Sequence, residues 1–88
     1  MAGVPSVTAK VKRLYLDKTG CRIELKNPSV HPQNGYFFLG LTHPNYKSLY
    51  ALAMLALANK YDLTIRVDAP SIDPSKNDIP IEYLVVDN

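Results

Sequence analysis

Residues 49–58 read LYALAMLALA: ten positions with no charge, no amide and a single hydroxyl, that of Tyr50. Ala, Leu and Met are good helix formers, and no glycine or proline interrupts them. A surface helix shows one apolar stripe and one polar face, but this run has no polar face. It is also only half of the ~20 apolar residues that a membrane span requires. The chain must bury this helix against itself or against something else.

The rest of the chain offers limited cover. Eighty-eight residues make one domain, 1–88. A chain of this size buries roughly 60–65% of its unfolded surface, so a disulfide, a metal or a partner subunit commonly supplements the core. Cys21 is the sole cysteine, which excludes an intrachain disulfide. That usage fits a reducing compartment, and equally a secreted or periplasmic bacterial protein trimmed of its leader. The opening MAGVPSVTAK lacks the apolar segment after a basic start that marks a leader. The compartment stays open.

Strand signals surround the helix. From Val7 to Leu16, Val7, Ala9 and Val11 alternate with Thr8, Lys10 and Lys12. The phase then slips, and Arg13 falls where an inward residue is due. A slipped alternation predicts a bulge or sharp bend in a strand shared by two sheets. DKTG at 17–20 is a hairpin turn. Cys21, Ile23 and Leu25 alternate with Arg22, Glu24 and Lys26. This makes Cys21 a buried, inert thiol.

NPSVHPQNG (27–35) is a loop, and YFFLGL (36–41) is a short strand whose continuous hydrophobicity predicts cover on both faces. Thr42 or Asn45 supplies the helix N-cap, and Pro44 suits the first turn. The helix runs from about Tyr46 to Asn59 or Lys60. Leu63 to Asp68 alternates as a fourth strand. After the loop APSIDPSKNDIP, Ile81 to Val86 is a fifth, with Ile81, Tyr83 and Val85 on one face. A mainly β chain with one helix, in the order β-β-β-α-β-β, matches the five-stranded OB-like antiparallel barrel, whose helix plugs one end. A helix lying across an open antiparallel sheet is the alternative.

At 3.6 residues per turn, Tyr46, Leu49, Ala53, Ala56 and Leu57 form one helix face, with Tyr50 beside them. A small barrel covers little more than that. The opposite side, Ala51, Met54, Leu55 and Ala58, is then an exposed apolar patch, which marks an interaction surface. A homo-oligomer interface is expected there, unless the protein's own loops fold over it.

The sequence points away from catalysis. His31 and His43 are too far apart, and too alone, to make a zinc site with one cysteine. Ser29, Ser48, Ser71 and Ser75 have no nucleophile-elbow context, and the four glycines form no phosphate loop. No enzyme, metal or cofactor is expected. The long loops suit ligand binding instead. Asn27, His31, Gln33 and Asn34 offer neutral donors and acceptors beside the Tyr36 ring, a set suited to a glycan or another small polar ligand.

Single-stranded nucleic acid is the alternative partner, because OB barrels stack bases on strands two and three. Arg22, Lys26, Lys10, Lys12 and Arg13 supply charge there. Glu24 interrupts them, Tyr36, Phe37 and Phe38 sit in a run suited to core, and the net charge is only +2. Charge is uneven along the chain: +5 over residues 1–48 and −3 over residues 49–88. The two halves can attract each other within one fold or between subunits.

The stretch GYFFLGLTHPNYKSLYALAMLALANKYDLTIRV, residues 35–67, resembles a pattern in small uncharacterised bacterial proteins. A glycine–aromatic strand leads through an H-P-N-Y entry and an Ala/Leu-rich helix to a T-I-R strand. More distantly, the order of elements resembles the OB-fold B subunits of bacterial A–B toxins. That resemblance implies a barrel, assembly into a ring around the helices, and glycan recognition. This chain lacks the cysteine pair of the best-known examples, and its helix is far more apolar than one lining an aqueous pore.

Overall fold

The computed structural model describes residues 4–88. Met1–Gly3, the start of the stretch read for a leader, lie outside them. Five strands and one helix follow in the order β1 (Ser6–Asp17), β2 (Gly20–Leu25), β3 (Tyr36–Gly40), α1 (Tyr46–Asn59), β4 (Asp62–Val67) and β5 (Ile79–Asp87). The strands close into a barrel in the spatial order β1-β2-β3-β5-β4. The expected OB-like barrel is therefore present. Its one parallel seam is a short pairing of Phe37 and Phe38 in β3 with Ile79 and Pro80 in β5.

β1 serves both halves of the barrel. Ser6 to Lys10 pair with β4, and Val11 to Asp17 pair with β2. The register shifts between Val11 and Arg13, so Lys12 is the extra residue of a bulge. Both Lys12 and Arg13 are exposed as a result. Regular alternation would have driven Arg13 into the core, at a desolvation cost no neighbour offsets. At the hairpin, Gly20 has φ +147°, and a Cβ there would run into the Leu39 carbonyl, so only glycine fits.

The core is continuous. Cys21, Ile23, Phe37, Leu39, Leu63, Ile65 and Val67 are fully buried, with Val7, Val11, Leu25, Ile79, Ile81 and Leu84 around them. α1 caps one end with Leu49, Ala53 and Ala56, while Tyr46 and Tyr50 stack half-buried at its edge. The N-cap is Asn45, whose side chain makes no capping bond. Instead His43 organises the entry: its Nδ1 accepts the Asn45 N–H (3.0 Å), and its Nε2 donates to the Glu82 carbonyl (2.9 Å). The helix closes at Lys60, in the left-handed conformation.

Three local expectations need correction. Tyr83 and Val85 do not share the inward face of Ile81. Arg66 pairs with Tyr83 and Val67 with Ile81, so β5 carries an extra residue at Glu82, which turns Tyr83 and Val85 outward and Leu84 inward. β3 is not covered equally on both faces: Phe37 and Leu39 are buried, while Tyr36 and Phe38 face the outer surface half-exposed. Leu57 is exposed rather than on the core face of α1.

Candidate functional site

The candidate loop residues separate into three environments. Asn27 and His31 line an open groove of about 620 Å³ together with Lys12, Glu24, Leu25, Lys26, Pro28 and Gly35. His31 Nδ1 lies 2.6 Å from the Pro32 carbonyl oxygen. Only a protonated Nδ1 can donate to that acceptor, which leaves Nε2 as the acceptor of the neutral ring.

Gln33 and Asn34 do a different job. The Gln33 N–H donates to the Lys76 carbonyl (2.7 Å). The Asn34 amide donates to Asp78 Oδ1 (3.1 Å), and its oxygen accepts the Asp78 and Tyr36 N–H groups. These bonds clip the 26–35 loop to the 68–78 loop at the barrel end away from α1. The Asn34 oxygen and one of its two amide hydrogens are engaged in the clip.

Tyr36 stands on the outer face of β1–β2–β3, where register builds two cross-strand rows. One is Arg13–Glu24–Tyr36 and the other Tyr15–Arg22–Phe38. Arg13 donates to the Tyr36 hydroxyl (3.2 Å), and the Tyr15 and Tyr36 rings meet edge to face at 6.2 Å. The Arg22 guanidinium lies over the Phe38 ring, 4.8 Å from its centroid, and is paired with Asp17 (2.9 Å) and Asp78 (3.1 Å). Hydrogen bonds from the Thr19 hydroxyl and N–H, with the Arg22 charge behind them, hold the Asp17 carboxyl below its ordinary range.

The charge halves partly meet inside the fold. Lys10 bonds Asp62 (2.7 Å), and Arg22 bonds Asp78. On α1 the four candidate interface residues, Ala51, Met54, Leu55 and Ala58, are all exposed and lie on the side away from the barrel. No loop of the described residues covers them.

Chemistry at the remaining candidates is sparse. Burial pushes the Cys21 thiol above its ordinary pKa, which suppresses the reactive thiolate. Among the described residues no group of three or more His, Cys, Asp or Glu converges as a metal site, and no helix is long and apolar enough to cross a membrane.

Lys12, Glu24 and Lys26 also line the groove; the sequence offers the two lysines only to a nucleic-acid partner and does not group them with Asn27 and His31. Their signal lay in the phase slip at residues 12–13, which implied the bulge but not the neighbours it acquires. Comparison of the chain with known protein families, with curated proteins and with solved structures returns no match.

Proposed function

We propose that this chain is a non-enzymatic binding module that assembles with copies of itself through the outer side of α1. One observation carries the reading. Ala51, Met54, Leu55 and Ala58 form an uncharged apolar strip, exposed over the last three turns of a helix whose other side plugs the barrel. In the strip the bulky Met54 and Leu55 are flanked by the small Ala51 and Ala58. That relief suits an isologous contact between two identical helices.

The toxin-subunit resemblance, which implies assembly around the helices, is consistent with this reading. Sedimentation of the full chain at micromolar concentration tests it: a mass above the 9.8 kDa of one chain is expected, and a strict monomer refutes it.

A second reading draws support from the outer face of β1–β2–β3. Tyr15 and Tyr36, with Arg13 bonded to the Tyr36 hydroxyl, provide aromatic surface and charge of the kind that single-stranded nucleic acid uses. Arg22 contributes less, because Asp17 and Asp78 already neutralise it. This reading predicts salt-sensitive binding of mixed oligonucleotides that weakens in Arg13→Ala and Lys26→Ala. Absence of binding at low salt removes it.

A further inference from the structure

The bulge in β1 has a chemical result. It turns two consecutive cations, Lys12 and Arg13, to the outside of the barrel, and Lys12 enters the rim of the groove at the loop end. There it meets Lys26, which follows β2, and Glu24. Lys12 Nζ stands 3.8 Å from Glu24 Oε2, beyond hydrogen-bond range. Its ammonium is therefore only loosely engaged.

Glu24 itself leans over Gly35, where an added Cβ would come within 3.3 Å of Oε2. The missing side chain at Gly35 leaves the carboxylate room at the groove wall. Asn27 adds an amide from a left-handed backbone position (φ 46°), and His31 adds an acceptor at Nε2.

We propose that this groove binds a small, hydroxyl-bearing organic oxyanion, with Lys12 and Lys26 neutralising its carboxylate or phosphate group. Two cations against one carboxylate leave a net positive rim, and ammonium groups bind oxyanions as point charges. Glu24, Asn27 and His31 Nε2 supply the acceptors and donors that hydroxyl groups on the rest of the ligand require. Neither a bare polyol nor a cation needs two lysines there. The site lies at the barrel end away from α1, so it stands or falls independently of self-association.

The test is an NMR titration of the ¹⁵N-labelled full chain with sodium phosphate, sodium gluconate and the neutral polyol sorbitol. Ionic strength is held constant with sodium chloride. Saturable shifts are expected at the backbone amides of Lys12, Glu24, Lys26, Asn27 and His31. Saturation by phosphate alone identifies a phosphate ligand, and saturation by gluconate alone a carboxylate. Affinity should fall about tenfold or more in Lys12→Gln and in Lys26→Gln, as loss of a charged hydrogen bond requires. Affinity for phosphate should rise in Glu24→Gln, which removes the competing carboxylate. The proposal is overturned if the shifts do not saturate, if chloride reproduces them, if sorbitol binds as tightly as gluconate, or if both lysine variants bind like the parent.

Discussion

Replacement of Leu55 by glutamate is the sharpest perturbation of the assembly surface. Met54, Leu55 and Leu57 are 48%, 45% and 40% exposed. Full burial of such a side chain is worth about 1.5–3 kcal/mol, so covering what remains exposed gains roughly 2–4 kcal/mol per subunit, or about 4–8 kcal/mol for a pair. Association costs at least about 4 kcal/mol in lost freedom. Even at the upper end of that range, the three exposed side chains of α1 alone support a dimer no tighter than about millimolar, about −4 kcal/mol.

Assembly at micromolar concentration needs more surface, and the plugged end of the barrel has it. Leu16 at the end of β1 and Leu41 just after β3 are 55% and 53% exposed. α1 packs against β1 and β3, and it begins shortly after Leu41, so the start of the helix shares this end. Covering both leucines adds about 3–6 kcal/mol per pair, which brings micromolar affinity within reach.

Leu55→Glu removes part of the apolar gain and leaves an unpaired carboxylate facing an apolar partner, a cost of about 3 kcal/mol or more. Dissociation should weaken the complex at least about a hundredfold. Because the side chain is exposed in a single subunit, the fold itself should change by no more than about 0.5 kcal/mol. Sedimentation velocity reads the mass, and circular dichroism melting at a concentration below dissociation reads the fold. A variant with unchanged mass and intact structure would falsify the assignment of this face.

Two further outcomes follow from the side-chain geometry. His43→Ala removes the bond to the Glu82 carbonyl that ties the helix entry to β5 and the acceptor of the Asn45 N–H, and urea denaturation should report a loss of about 1–3 kcal/mol; unchanged stability would mean that His43 is a bystander. Asp17 has its pKa lowered in the fold from 3.8, so its stabilising contribution is complete above that value and is lost as pH falls through the depressed one. The stability difference between parent and Asp17→Asn should therefore be constant from pH 7 to about 5 and shrink in stronger acid, and a difference that grows on acidification contradicts the Thr19 and Arg22 contacts.

The architecture was legible where one face of an element is polar. Cys21–Lys26 and Leu63–Asp68 alternate cleanly, and the charge on Arg13 exposed the bulge in β1, because a guanidinium at an inward position announces the slip. The bulge in β5 had no such marker. Its stretch YLVV is apolar on both faces, so a shift of one residue leaves the pattern looking the same. Tyr36 and Phe38 were hidden for the same reason.

In α1 the uniform apolarity silenced the helical period. The projected face still holds at Leu49, Ala53 and Ala56, which the barrel end buries, and fails at Leu57, which stays exposed. The groove was the least visible feature. Lys26 and Asn27 are adjacent in the chain, but Lys12 joins them and His31 only through strand register and the bulge, and both are tertiary facts. Asn34 shows the converse: a residue type suited to ligand binding that the fold uses to clip two loops.

The division of β1 between two partners also sets the order in which the barrel can form. Its second half pairs with β2 across a three-residue reach at the hairpin, while Thr8 in its first half must wait for Thr64, 56 residues further along. As the polypeptide leaves the ribosome, β1, β2 and β3 can zip into a meander early. The Ser6–Lys10 segment then remains a single unpaired edge until α1 and β4 have emerged. Closure of such distant pairings is slow, and an unpaired apolar edge invites mispairing with other chains. Lys10, at the end of that waiting segment, and Lys12 just beyond it place charge on the edge until its partner arrives.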